Sequence, residues 1–584
     1  MWSKLSVTSF VMVALAVGCA RRSGITFSAI ALLTLVSACA APAPGPGEQA
    51  KSSDQSARTA APRVLTFGII RELDAWNTDL IRVTRAGGIN VLNSLGHQRL
   101  VVETETFAWI PELAVEQISI ERGTWRLNPD GTMATTWRVP SNVKWHDGHP
   151  FSSDDLLFSF QVMKDPEVPN TVGGGLRIMQ SASAPDPTTL VINWGAPYAD
   201  ANQAPWLTPM PRHLLEDAYL RDKAAFPSHP WMTTDFVGLG PYRVSRWEQG
   251  SFMEFTRFDD YFRGRPPLDS MVVRFISDAN VMIAAILAGQ LDLIPSFNFD
   301  VDAALEVKRR WEGTGNVVGG ALSGRFTTVE TQHRLELARP INGLSNVAVR
   351  RAFYHALDRD EIAQSMTQGL GPSADSWFFP AHEIRPQVEA SIPRFQYDPA
   401  RAIQLLGEAG WTRGPDGILT SSQTGEKFDV QIAGTFDAQK LASVIANYWR
   451  AVGARVDELG TPADRADDLE ALSTLPGAWM GTQLFYNMYN DRFHSSGIAG
   501  PGNRWTGRNR SGYNSPRLDG ILDKLVSTVD PAERLPLHKE LLQEQVGNLV
   551  VMPLHWQFQP FFVSKGVKNV GAASGWSVYQ WDKE

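Results

Sequence analysis

The stretch "YDPARAIQLLGEAGW" (397–411) places the tightest limit on what this chain folds into. Asp398 reads as an N-cap, Pro399 as the first helical residue and Gly410 as the stop. Ala402, Leu405, Leu406 and Ala409 give the helix one apolar stripe, which must be covered by another element. The same outline recurs with strands on either side. "SDANVMIAAILAGQLDLI" reads as a helix capped by Asp278 or Ser277, ended by Gly289 and followed by a buried strand. "VQIAGTF" followed by "LASVIANYWRAVGARVDEL" repeats strand, helix, strand. Repeated alternation of this kind predicts an α/β architecture.

Other segments add strands and turns. "RVLTFGII" (63–70) is a first strand, and 123–143 reads as a hairpin turning at Asn128-Pro129-Asp130-Gly131. Ser152 caps a helix with Asp154 and Asp155 in its first turn, stopped at Asp165-Pro166. "LSNVAVRRAFYHALDRDEIAQSMTQGLG" reads as two helices broken near Asp358, with Arg359 pairing with a carboxylate. A last helix covers about Pro531 to Gln545, and "VVMPLHW" is a closing strand.

The first sixty residues are of another kind. Arg21 and Arg22 precede a largely apolar run, Ile25 to Leu33, which is shorter than the roughly 20 residues of a spanning helix. Val36-Ser37-Ala38 then precedes Cys39, and a Pro-, Gly- and Ser-rich segment follows. Basic residues, a short apolar run and small residues at a cleavage point compose an export signal. The triplet before Cys39 resembles the bacterial lipobox, which implies a lipidated Cys39 and a flexible tether over 39–62. A second apolar run, Leu5 to Val17, ends at Cys19. Either translation starts later, near Val17, with 1–38 holding one true signal, or Cys19 is the anchor.

The body from residue 40 onward is long enough for two to four domains of roughly 100–200 residues each. A net charge of -8 leaves no basic excess for phosphates and excludes nucleic acid as the expected partner. Both cysteines, Cys19 and Cys39, lie in the export region, so the body has no disulfide, thiolate metal site or cysteine nucleophile.

Four blocks together carry a family likeness: "VKWHDGHPFSSDDLLFSFQVMKDP", the stretch from "VGLGPYRV" to "LAGQLDLI", "NVAVRRAFYHALDRDEI" and "YDPARAIQLLGEAGW". In this order they resemble the family 5 extracellular solute-binding proteins of ABC importers, the peptide-, dipeptide- and nickel-binding type. The resemblance implies a two-lobed periplasmic-binding-protein clamshell, type II, of the large class with an extra domain in lobe one. Lobe one would comprise 63–99, 231–335 and 551–584, the insert 100–230, and lobe two 336–550. It also implies capture without catalysis or cofactor, delivery to a permease with its ATPase subunits, a monomeric state, and residence in the periplasm or on the outer membrane face. The alternatives from the residues alone are a metal-assisted hydrolase of the envelope, or a sensor or chaperone using the same cleft.

His146-Asp147-Gly148-His149 is a candidate metal pair, although Asp-Gly also suits a tight turn. Asp358-Arg359-Asp360-Glu361 is a candidate acid–base cluster or a helix junction. No G-x-S-x-G elbow is present, and "VGLGPYR" lacks a P-loop lysine and does not open a helix. In peptide-binding relatives a glycine-tryptophan pair precedes an aspartate that holds the peptide amine. Here Trp479 and Gly481 are reversed, Thr482 and Gln483 follow, and no acid occurs before Asp491, the candidate replacement. An ammonium buried without a counter-charge is costly, so the departure puts ordinary peptide binding in question. The pocket candidates are Trp377, Trp479, Tyr486, Tyr489, Asp491, Trp505, Asn509 and Tyr513, with Asn93 and Ser94 from lobe one and Arg504 for a ligand carboxylate.

Overall fold

The computed structural model describes residues 61–584 except 78, 81–88, 170–173, 204–206, 296–298, 300, 435–437, 461–467, 490, 572–574 and 576. Cys19, Cys39, both apolar runs and the tether lie outside the described residues.

The centre of the molecule is one ten-stranded sheet. Its first five strands are β1 (Val64–Ile69), β8 (Tyr242–Glu248), β9 (Phe252–Arg257), β10 (Ser270–Phe275) and β11 (Leu293–Ile294). Two long strands follow in the sheet, β12 (Val317–Thr331) and β16 (Val551–Val563). The far edge consists of β13 (Asp429–Gly434), β14 (Arg455–Gly460) and β15 (Ala478–Leu484). The order across the sheet is β14-β13-β15-β12-β16-β11-β1-β10-β9-β8.

Three apolar clusters cover this sheet. The first gathers Leu65, Phe67, Tyr242 and Met271 with the residues of the segment 100–231, including Trp137, Trp145 and Trp194. The second runs from Phe326 to Trp556 and holds Phe353, Trp377, Ile432 and Trp449. The third is small and lies under the helix Ala279–Leu287. β12 and β16 pair antiparallel along their length and pass from one cluster to another: Phe326 and Trp556 lie in the second, Phe562 in the third. Their pairing breaks register between Leu322 and Phe326.

β16 extends past the closing strand expected from sequence, and β12 was not among the expected strands. Gly319 and Gly320 each lie beneath a ring of the partner strand. An added Cβ would be 2.2 Å from Phe561 Cζ at Gly319 and 2.0 Å from Phe558 Cζ at Gly320. The rings of β16 cover what glycine leaves bare.

The segment after β1 supplies α1 (Ile89–Gly96) and a small hairpin of β2 (Val101–Glu103) and β3 (Trp109–Pro111). A separate four-stranded sheet, β4-β5-β7-β6, contains β4 (Trp125–Leu127), β5 (Met133–Arg138), β6 (Met179–Asp186) and β7 (Thr189–Trp194). The β4–β5 turn is closed at Asn128 and Thr132, with Gly131 at φ +82°. Helix α2 (Ser153–Lys164) packs on this sheet. Ser152 and Asp155 form its capping box. Ser152→Ala is expected to cost about 1 kcal/mol, read as a fall in the urea midpoint at unchanged slope.

In the second cluster, α5 (Val347–His355) and α6 (Arg359–Thr367) meet at Asp358, whose Oδ1 accepts the Glu361 N–H at 2.9 Å. Arg359 departs from expectation: its guanidinium lies 4.3 Å above the Tyr354 ring and donates to the Phe395 carbonyl. Helix α7 (Pro399–Glu408) starts and stops as its caps predict. Helices α9 (Pro516–Ser527) and α10 (Pro531–Gly547) pair with each other near the end of the chain. The ranges Ala279–Leu287 (α4), Arg212–Arg221 (α3) and Gln439–Ala451 (α8) complete the helices used below.

Candidate ligand-binding cleft

The two large clusters also meet at contacts outside β12 and β16. The Ala199 N–H, just after β7, donates to the Val526 carbonyl of α9 at 2.8 Å. Beside it, Arg534 Nη2 of α10 lies 3.8 Å from Asp200 Oδ1. This contact is set by the fold, since Arg534 is on the first turn of α10 and Asp200 opens the 3-10 turn after β7.

Between this lip and the crossing strands stands a polar, aromatic wall. β15 runs into the 3-10 turn Phe485–Tyr489. Tyr489 packs edge-on to His538 at 5.8 Å and lies 6.0 Å from Trp377. His382 packs against Phe485 at 5.8 Å and against Phe378 at 5.2 Å. His538 follows Arg534 by one helical turn and shares its face. Burial pushes the Tyr489 hydroxyl well up, helped by Asp200 and Glu103 and opposed by Arg534. Burial, then Arg534 and His382, hold His538 down to about 3, so its ring is neutral. Burial also lowers His382.

Two acids face this wall from the first cluster's side. Glu103 ends β2, and burial alone raises it from its ordinary 4.5 to about 7. Its carboxylate has no hydrogen bond or ion pair within the described residues. Burial raises Asp200 as well, against the pull of Arg534. Three polar atoms of the opposite wall are buried without a hydrogen-bond partner among the described residues: Trp377 Nε1, His538 Nδ1 and Arg534 Nε. Unmatched buried donors are uncommon, and their convergence around Tyr489 marks this wall as the place where a ligand's acceptors would be met.

The sequence candidates fall at different depths. Tyr486 is 37% exposed and Tyr489 half-buried on the same turn. Trp377 is fully buried behind Tyr489. Trp479 is half-buried on β15, paired with Glu330 and Ala433. Asp491 opens the next 3-10 turn, and its side chain lies outside the described residues. Asn509 is fully buried; its Nδ2 donates to the Phe493, His494 and Tyr513 carbonyls and its Oδ1 accepts from Ser511 and Gly512. Tyr513 packs edge-on to His333 at 5.0 Å and bonds to Glu544. Arg504 is exposed at a loop tip and Trp505 half-buried beside it, at φ +52° and +63°. Ser94 Oγ donates to the Asn90 carbonyl at 3.0 Å and lies under Gly575, while Asn93 Oδ1 is buried without a partner among the described residues.

The reversed tryptophan and glycine have a local cause. Gly481 leaves room for the buried Glu330, whose Oε1 would lie 2.5 Å from an added Cβ. Gln483 Nε2 donates to that carboxylate, and Arg492 Nη2 lies 3.8 Å from it. The acid nearest this strand is thus engaged internally. Thr482 Oγ1 accepts from Gln557 Nε2 at 3.3 Å.

The His-Asp-Gly-His block is built into the scaffold. His146 Nε2–H donates to the Gly240 carbonyl at 2.9 Å and Nδ1 accepts the Gly238 N–H at 3.2 Å, which fixes one neutral tautomer; burial holds the ring down to about 4. His149 stacks on His213 at 3.9 Å, and His213 Nε2 pairs with Asp147 Oδ2 at 2.7 Å. Among the described residues, no group of three or more His, Cys, Asp or Glu is placed to hold a metal ion.

Sequence reasoning did not single out Glu103, Asp200, His382, Arg534 or His538. The i, i+4 spacing of Arg534 and His538 was the one local signal available.

Residues 122–495 match the model of the bacterial extracellular solute-binding proteins, family 5 Middle. The chain is 25% identical over 445 residues to the oligopeptide-binding protein AppA of Bacillus subtilis, covering 71% of this chain and 74% of that protein. It is 25% identical over 443 residues to heme-binding protein A of Haemophilus influenzae, covering 71% and 75%. Among solved structures it resembles NikZ from Campylobacter jejuni in complex with Ni(L-His), with a TM-score of 0.66 and 20% identity over 89% of this chain and 99% of that one.

Proposed function

The chain belongs to the family 5 bacterial extracellular solute-binding proteins of ABC importers, and from that premise we propose that it captures a peptide-like or other small polar ligand in the cleft walled by Tyr489 and hands it to an importer permease. The fold is the two-lobed type II periplasmic-binding-protein clamshell. We assign 63–99, 231–335 and 551–584 to lobe one, 100–230 to the inserted domain and 336–550 to lobe two. The observation that carries the reading is the antiparallel pair β12 and β16, whose residues enter all three apolar clusters and whose pairing breaks register midway. Two strands joining two cores allow a hinge motion, and pockets favour such junctions.

Capture needs no covalent step. Ligand shifts the open–closed balance only by binding the closed form better. Tyr486, Tyr489 and the edge of His382 offer flat apolar faces and hydroxyls, Arg534 a cation, Glu103 and Asp200 two acids. This mixture suits a ligand bearing both charges. Trp377 supports the wall from behind, Asn509 braces the 493–513 loop, and Asn93, Ser94, Trp479, Asp491, Arg504, Trp505 and Tyr513 remain proposed contributors along the rim. The named relatives are binding proteins for oligopeptide and heme. No helix among the described residues is long and apolar enough to cross a membrane. Anchoring through a lipidated Cys39, a monomeric state and partnership with permease and ATPase subunits complete the proposal.

The test is native mass spectrometry of protein purified from its own host, followed by release of the bound molecule. The expected result is one discrete small polar molecule that rebinds to the emptied protein in calorimetry. Arg534→Ala should weaken that rebinding about tenfold or more, the scale of one lost charge-assisted contact. Emptied protein that binds no released molecule and no fraction of the host's small-molecule pool would sink the reading.

A further inference from the structure

The turn joining β2 to β3 crosses from one core to the other. The hairpin is rooted in lobe one: Val101 is buried in the first cluster and Trp109 packs against it. Its tip is not. Phe107 packs against the second cluster, edge-on to Phe379 at 4.9 Å and to Phe485 at 4.7 Å. Its ring also lies over Gly324, where an added Cβ would be 2.2 Å from Phe107 Cζ. Gly324 is at φ +68° inside the register break of β12, so the ring rests on the backbone of the crossing strand where its pairing lapses.

The turn is shaped to deliver that ring. The Thr104 N–H donates to the Ala108 carbonyl at 2.9 Å, the Phe107 N–H to the Thr104 carbonyl at 3.0 Å, and the Ala108 N–H to Thr104 Oγ1 at 3.2 Å. Phe107 itself is at φ +63°, a region a bulky side chain enters only when its surroundings demand it. A strained residue, a glycine socket and two edge-on rings thus meet at one point, and the two rings belong to the opposite lobe.

We propose that Phe107 is a positioning residue for capture: a latch from lobe one whose ring, seated between Gly324, Phe379 and Phe485, holds the lobes closed over the cleft. The latch rests on the reading of that cleft as the ligand site. Rotation about the break in β12 would carry Phe379 and Phe485 away while Phe107 stays with its hairpin. The closed fraction therefore falls when the ring is removed. Apparent ligand affinity falls by the same fraction, because binding is diluted by the share of molecules unable to bind.

The experiment measures the interlobe distance with no ligand present. The body has no cysteine of its own beyond Cys39. A full chain carrying Cys19→Ser and Cys39→Ser, with spin labels at Asp217→Cys on the insert and Gln404→Cys on lobe two, reports the lobe separation by pulsed electron spin resonance. Phe107→Ala is expected to raise the longer-distance population several-fold, and Phe107→Leu to fall between it and the parent. Gly324→Ala, whose methyl group would evict the ring, should open the lobes likewise, and should add little once Phe107 is already alanine. Folding loss in one variant leaves Phe107→Leu and its graded effect to decide. Identical distance distributions in the parent, Phe107→Ala and Phe107→Leu would overturn the latch. Failure to find any ligand would sink the cleft reading instead and leave this measurement standing.

Discussion

Replacing Gly240 with alanine is expected to lower folding stability by about 3 kcal/mol, the upper range for forcing a group into a filled site. The reason is backbone, not side chain. A Cβ at Gly240 would lie 2.1 Å from the Leu95 carbonyl oxygen, 2.5 Å from Gly96 C and 2.7 Å from His97 N. A flexible side chain can turn aside, but the end of α1 cannot. The Gly240 N–H also donates to the Gly96 carbonyl at 3.0 Å, and its own carbonyl accepts from His146. Any retreat from the clash breaks both bonds, where α1 meets residues 144–151 and 238–240. Gly238 is held the same way, 2.0 Å from the Gly96 carbonyl oxygen on adding a Cβ. The glycines of "VGLGPY" therefore serve close approach between segments. Urea unfolding gives the loss in stability, and amide exchange should show it centred on α1 and residues 144–151. A midpoint within a few tenths of a kcal/mol of the parent would refute the argument.

What could be read from sequence was what is decided locally. Asp398, Pro399 and Gly410 bound α7, and Ser152 and Asp278 cap their helices, because a cap is made by neighbours in the chain. β12 was not legible. Its glycines are strand residues only because Phe558 and Phe561 of β16 cover them, and those rings arrive from the far end of the chain. The closing strand likewise continues beyond Trp556 to Val563 through Gln557, Gln559 and Pro560, a pattern with no clear alternation. In the cleft, Tyr486 and Tyr489 stood out as loop aromatics. Trp377 and Asn509 carried the same signal, but their burial depends on how α10 and the 493–513 loop close over them. Arg534, Asp200 and Glu103 resemble ordinary surface charges in sequence. Their meaning comes from gathering around Tyr489 where the two large clusters meet.

Glu103 gives the second large effect, and its sign follows from the raised carboxyl. Below its ordinary 4.5 the group is protonated in both folded and unfolded chains, so burial exacts no ionisation penalty. As pH rises toward about 7 the unfolded chain ionises freely while the folded one resists, and stability falls across that window. Above 7 the penalty is complete. A tenfold change in proton affinity is worth about 1.4 kcal/mol, so the full penalty is about 3.5 kcal/mol. Glu103→Gln should therefore match the parent near pH 4 and exceed it in stability at pH 7.5 and above. Glu112 is raised to about 7 by burial too, so both proteins will show a falling profile, and only their difference reports Glu103. The substitution also distinguishes ligands. A ligand placing an ammonium beside Glu103 would supply the counter-charge that burial lacks, and Glu103→Gln would then weaken binding while stabilising the empty protein. A ligand that meets only Arg534 would bind Glu103→Gln as well as the parent, or better, since one opposing charge has gone. Equal stability of Glu103→Gln and the parent at every pH would show that the carboxylate finds a partner in solution and that no such counter-charge is wanted.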